Sequence, residues 1–112
     1  MKWEIEYIKE AQRDLKRLDP HMRKVILKAI EKTAERPLPP SDGIGKPLGN
    51  HAGAKLSRYY KIKLRDLGYR VVYQLIIEGM TMRIIIIGIR DDNTVYKEAE
   101  RRIQNLLKQA ES

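Results

Sequence analysis

The stretch Tyr60-Lys61-Ile62-Lys63-Leu64-Arg65-Asp66-Leu67-Gly68-Tyr69-Arg70-Val71-Val72-Tyr73-Gln74 decides the fold. Apolar and polar residues alternate on both sides of Gly68, which is the pattern of two half-buried strands folded back on each other. Pairing Leu64 with Val71, Ile62 with Tyr73 and Tyr60 with Leu75 makes one face wholly apolar or aromatic. The same pairing gathers Lys61, Lys63, Arg65, Arg70 and Gln74 on the other face. Gly68 is expected to take the positive φ of a tight turn, and a one-residue slip would put Arg70 among apolar side chains. Between Lys55 and Arg70 six basic residues (Lys55, Arg58, Lys61, Lys63, Arg65, Arg70) stand against the single acidic Asp66. A sheet face with cations placed in this way can hold RNA, and Lys55, Arg58 and Arg65 are expected to contact it beside the central set.

Outward from the hairpin, the period changes with each element. Lys2 to Tyr7 alternates, with Trp3, Ile5 and Tyr7 on one side, as in a strand. Ile8, Ala11, Leu15 and Leu18 follow helical spacing, so the segment to about Leu18 reads as an amphipathic helix. Asp19-Pro20 then starts a second helix, because Asp accepts from free amides of the first turn and Pro loses no donor at the first helical position. Met22, Val25, Ile26, Ala29 and Ile30 form its stripe, and Arg36-Pro37 ends it. Residues 37–53 hold four of the five prolines and four of the seven glycines and read as a loop. After the hairpin, Glu78-Gly79 makes a turn. Ile84-Ile85-Ile86-Ile87 is apolar on both faces and belongs at a sheet centre. Asn93 or Thr94 caps a last helix with a stripe of Ala99, Ile103, Leu106 and Leu107. The expected fold is α+β: a four-stranded, mostly antiparallel sheet in the order β-α-α-β-β-β-α. The amino-terminal helical hairpin packs on one face, and a carboxy-terminal helix follows the sheet.

Composition bounds the function. The chain has 112 residues and is read as one domain over 1–112, large enough for a core without staples. Without cysteine there is neither a disulfide framework nor a thiolate metal site, and no metal or other cofactor is expected. No apolar run suits a bilayer and no signal pattern opens the chain, so a soluble, cytoplasmic protein without membrane partners is expected. A formal charge of +8 favours polyanions without choosing among nucleic acid, an anionic surface and an acidic partner.

Four stretches resemble a known family: Leu15-Lys16-Arg17-Leu18, Tyr60 to Arg65, Gly68 to Gln74, and Gly88 through Arg90 to Val95-Tyr96. Together they are similar to the RelE branch of the RelE/ParE toxins, the ribosome-dependent mRNA endonucleases of toxin-antitoxin systems. The resemblance implies a catalytic set of Lys61, Lys63, Arg70, Arg90 and Tyr96, all present here. Leu48-Gly49 departs from it, standing where many members carry a basic residue before the glycine. The implied function is a toxin that cuts mRNA in the ribosomal decoding site by 2′-hydroxyl attack and so inhibits translation. The implied partners are a RelB-like antitoxin, the ribosome and its mRNA, with operator DNA reached only through the antitoxin. The rival readings are a ParE-like gyrase poison on the same fold, a branch that generally lacks this five-residue set, and a degenerate module that only binds RNA or antitoxin.

The chemistry needs a base for the 2′-hydroxyl, cations for the charge on the phosphorus oxygens, and help for the departing 5′-oxygen. Lys61 and Lys63 lie two apart on a strand, with Cα atoms roughly 6.5 to 7 Å apart. Their repulsion is on the order of 2 kcal/mol, too little to bring a lysine from about 10.4 to neutrality. The protein alone is therefore expected to be a poor nuclease that relies on the ribosome to hold its substrate in line. By the resemblance, Lys61 is the base beside Lys63, Arg70 stabilises the phosphorane, Arg90 assists the leaving oxygen and Tyr96 stacks on a nucleobase. Tyr59 stays unassigned, and His21 and His51 read as solvated.

Overall fold

The computed structural model describes residues 2–37, 46–47, 59–64, 68–76, 79–89 and 92–111. The chain runs β1 (Glu4–Tyr7), α1 (Lys9–Arg17), α2 (Pro20–Glu35), β2 (Lys46–Pro47), β3 (Tyr59–Leu64), β4 (Tyr69–Ile76), β5 (Thr81–Ile89) and α3 (Asp92–Glu111). The strands form one sheet in the order β1-β5-β4-β3-β2. The sheet is mixed, because β1 runs parallel to β5 while the other pairs are antiparallel. Four of its strands are those expected. The two-residue β2 lies inside the stretch read as loop, where prolines and glycines hide any alternation.

Local chemistry sets the helical hairpin. The Asp19 carboxylate accepts from the Met22 amide at 2.9 Å and Pro20 opens α2, as expected. Arg23 then reaches back to the end of α1 and donates to the carbonyls of Leu15, Lys16 and Leu18 at 2.9, 3.2 and 3.0 Å. A helix leaves its last carbonyls without partners, so one guanidinium closes α1 and fixes its angle to α2.

The sheet is covered on both faces. On one, Val71, Tyr73, Leu75, Met82, Ile84 and Ile87 pack against Ala11, Leu18, Ile26, Ile30 and Ala34 of the helical hairpin. On the other, Tyr59, Val72, Ile85 and Ile86 pack against Val95, Tyr96, Ala99 and Ile103 of α3. The four isoleucines serve both cores through a bulge: Val72 pairs with Ile86 but Tyr73 with Ile84, which leaves Ile85 as the extra residue. Ile85 and Ile86 therefore point the same way, toward α3.

Three expectations need correction. The β3 and β4 register is two residues from the one expected: Leu64 pairs with Tyr69, Ile62 with Val71 and Tyr60 with Tyr73. Alternation fixes register only modulo two, and the closing bond from the Gly68 amide to the Leu64 carbonyl (2.9 Å) selects the shorter turn. Gly68 does take φ +72°. Second, α3 begins at Asp92, so Asn93 and Thr94 lie in its first turn rather than before it. Third, Leu107 is 59% exposed, because the buried cluster under α3 ends near Leu106.

One polar cluster joins the layers. Beyond Tyr7, β1 no longer covers the edge of β5, and two backbone groups there need partners. Asp14 of α1 accepts from the Ile87 amide at 3.0 Å, and Arg102 of α3 donates to the Ile85 carbonyl at 3.0 Å. The two side chains also bind each other, at 2.7 and 3.2 Å, and each is only 7% exposed. Glu98 and Glu10 extend the network to Arg101 at the surface.

Arg102→Met should cost about 3–5 kcal/mol of unfolding free energy in urea, because it strands a buried carboxylate. Adding Asp14→Leu should not restore stability, since the Ile87 amide and Ile85 carbonyl would still lack partners at about 1–3 kcal/mol each. The hydrogen bond from Arg101 lowers the Glu98 carboxyl from 4.5 to about 2, aided by Arg102 and opposed by burial. A depressed acid stabilises the fold above its unfolded value and stops doing so as pH falls through the folded one. Stability should therefore decline between pH 4.5 and about 2 in part through this group. Glu98→Gln should flatten that decline by about 1 kcal/mol or less, given its exposure.

Candidate active site

The hairpin places three of the expected cations together. On the α3 face of the sheet Lys61 pairs with Val72, and Lys63 stands directly across from Arg70. All three are half-buried. Arg70 donates from Nη1 to the Tyr69 carbonyl at 3.2 Å, which lays its guanidinium along β4. Like charges directly opposite on paired strands cost stability.

Tyr96 completes the group from the first turns of α3. Its ring is 3% exposed and lies in the second core with Tyr59, Val72 and Ile86. The Lys61 ammonium sits over the ring, 5.6 Å from its centroid. A cation at that distance from an aromatic face gains about 0.5–1 kcal/mol, and up to about 2 where water is excluded. Thus four of the five residues implied by the resemblance come together: Lys61, Lys63, Arg70 and Tyr96. Arg90, Lys55, Arg58 and Arg65 lie outside the described residues, as do His51 and the Leu48-Gly49 departure. His21 is exposed in the first turn of α2. The backbone of β2 brings Lys46 into register with Lys61.

Gly88 lets Tyr96 approach. Gly88 pairs with Arg70, and a Cβ built on it would stand 2.9 Å from Cγ2 of Val95. Only a residue without a side chain allows the first turn of α3 to fold back onto the end of β5. Sequence reasoning took Gly88 as part of a family motif and missed this packing role. It also missed Asp14 and Arg102, although a hint was present. Asp14 lies three residues after Ala11, and Arg102 three after Ala99, so each sits beside an apolar stripe. Among the described residues no three His, Asp or Glu side chains gather as a metal-binding group. None of the described helices is long and apolar enough to cross a membrane.

A mixed sheet backed by a helical hairpin, with a cationic strand pair beside the start of the last helix, defines the class of small mixed-sheet α+β domains. The chain belongs to the ParE toxin family of type II toxin-antitoxin systems (parDE), which its residues 5–96 match. Within it the chain is of RelE type. It is 29% identical over 104 residues to a RelE-like toxin protein of Escherichia coli, covering 93% of this chain and all of that one. It is 52% identical over 44 residues to the E. coli mRNA interferase toxin RelE, covering 39% of this chain and 46% of that one. An arginine double mutant of E. coli RelE in the free state matches with a TM-score of 0.68 at 28% identity, over 92% of this chain and 99% of that one. The same mutant in complex with a peptide of the antitoxin RelB matches with a TM-score of 0.62 at 27% identity, over 88% and 95%.

Gly88→Ala should destabilise the protein by about 1–3 kcal/mol by forcing Val95 and the first turns of α3 outward. Combining it with Val95→Ala should recover most of that loss, as read by thermal unfolding of the single and double variants.

Proposed function

We propose that this RelE-type toxin is a ribosome-dependent endoribonuclease that cuts mRNA in the A site. The observation that carries the reading is the opposed Lys63 and Arg70 pair with Lys61 alongside. It makes a strand surface whose own repulsion is relieved by a phosphate. In the reaction the 2′-hydroxyl gives up its proton and its oxygen attacks the adjacent phosphorus. The bond from phosphorus to the 5′-oxygen then breaks, leaving a 2′,3′-cyclic phosphate and a 5′-hydroxyl. Lys61 serves as base beside Lys63, and Arg70 stabilises the charge on the phosphorane oxygens. Arg90 assists the leaving oxygen as a cation rather than as a proton donor, because a guanidinium does not deprotonate in this range, and the 5′-oxygen takes its proton from water. Tyr96 supplies an aromatic face for a base. Lys55, Arg58 and Arg65 add phosphate contacts.

Two lysines and an arginine on a twisted surface do not by themselves align a 2′-oxygen with its leaving group, so the ribosome is assigned that positioning. The antitoxin is RelB-like, binds the toxin in the cytoplasm and carries operator contacts on behalf of the pair. What supports the RNA reading over other toxin activities is the cationic pairing, together with the likeness to a toxin named as an mRNA interferase. A second reading, a gyrase poison, is favoured by one observation, the ParE description of the matched family.

Purified protein added to ribosomes programmed with a defined mRNA should yield new 5′ ends in the A-site codon and 2′,3′-cyclic termini. Lys63→Met, Arg70→Met and Arg90→Ala should each slow single-turnover cleavage by about 100-fold or more while the amide spectrum stays native. Uncut mRNA, together with gyrase-linked DNA breaks in the same preparation, would replace this reading with the second one.

A further inference from the structure

We infer that Tyr96 is the positioning residue of Lys61: its ring face seats the lysine ammonium on the sheet, and Gly88 is the residue that lets the ring reach it. Three independent features point this way. The ammonium lies 5.6 Å from the ring centroid, within the range of an attractive cation and ring contact. The ring itself is immobilised, being 3% exposed among Tyr59, Val72, Ile85, Ile86 and Ile103. The helix carrying it approaches β5 at a point where any side chain on position 88 would collide with Val95. The ring is therefore a fixed platform, and the lysine is the partner that adapts to it.

The charges around Lys61 make the seat consequential. Lys63 lies on the same strand and Arg70 stands across from it on β4, so two cations stand on the same face. Tyr59 and Tyr96 are the titratable groups contributed by the second core. Repulsion from its neighbours favours loss of a proton from Lys61, whereas the electron-rich ring face favours keeping it. The ring holds the ammonium in place on a face whose like charges would otherwise drive it away.

For the reaction, this inference rests on the nuclease reading above. A lysine seated on the ring is a cation and takes no proton from a 2′-hydroxyl. A nucleobase stacking on the same ring face would unseat Lys61 and turn it toward the phosphate. Tyr96 would then couple arrival of the nucleobase to delivery of Lys61, which gives up its own proton to solvent before it takes the one from the 2′-hydroxyl.

The test uses the full chain without RNA, then with ribosomes. In wild type, Lys61 side-chain protons should show contacts to the Tyr96 ring and ring-current-shifted resonances by NMR. Titrating the Lys61 Cε resonance should give a midpoint unchanged in Tyr96→Phe, which keeps the ring, and lower by about half a pH unit or more in Tyr96→Leu. Gly88→Ala should move it the same way, because it shifts the ring without removing it. In ribosome assays the rising limb of the pH profile of kcat/KM, which reports the free toxin, should shift downward in Tyr96→Leu relative to Tyr96→Phe. Absence of ring contacts in wild type would overturn the inference whether or not the leucine variant folds, as would equal midpoints in wild type and a folded Tyr96→Leu. Ring contacts and shifted midpoints in a protein that leaves mRNA uncut would support the seat and overturn only the nuclease reading.

Discussion

The fold depends on the contact between Asp14 and Arg102. Strand β5 lies between β1 and β4, but β1 is short, and beyond Tyr7 the edge of β5 would face the interior with open backbone groups. One carboxylate and one guanidinium, from helices on opposite faces of the sheet, supply the missing acceptor and donor. Each also neutralises the other. A buried ion pair is usually weak support for stability, because desolvating two charges offsets their attraction. Here it does what apolar replacements could not do, since it ends a ladder that has lost its strand. The position of α3, and with it the position of Tyr96, follows from that contact.

The bulge and the site are linked through the same strand. Ile85 is the extra residue, its carbonyl is the one Arg102 holds, and its side chain joins Ile86 beneath α3. Without the extra residue, β5 would present its isoleucines in strict alternation and give the α3 face a thinner apolar surface. Three residues beyond Ile85, Gly88 allows the first turn of α3 to close over the strand next to Arg70. The basic face is thus framed by apolar packing on the side where α3 closes over the strand. The aromatic residue that belongs with the cations reaches them from a distant part of the sequence.

Much of this was legible in the residues. The alternation through Tyr60 to Gln74 assigned the described side chains to their faces correctly, because a two-residue error in register preserves parity. The turn itself escaped, since its length is set by one backbone bond at Gly68 that no alternation encodes. Asp19-Pro20 and Arg36-Pro37 marked their helix ends well because capping is local chemistry. Asp14 and Arg102 were missed because their partners lie in other elements, and a charged residue beside a stripe reads as solvated until the opposing backbone is known. Lys61, Lys63 and Arg70 were grouped by periodicity alone, whereas Tyr96 and Arg90 were reached only through likeness to a family. The short β2 had no periodic signal to offer.

The parallel pairing of β1 with β5 has a consequence for how the molecule is made. Glu4 must find Thr81, and Asp14 must find Arg102, a partner 88 residues later in the chain. During synthesis the helical hairpin forms early from local contacts, but the sheet cannot be completed until β5 has emerged. Tyr96 reaches Lys61 only after that. A chain that has not yet extended past Arg102 therefore lacks the assembled cationic face, and the site waits on the most distant contacts in the fold.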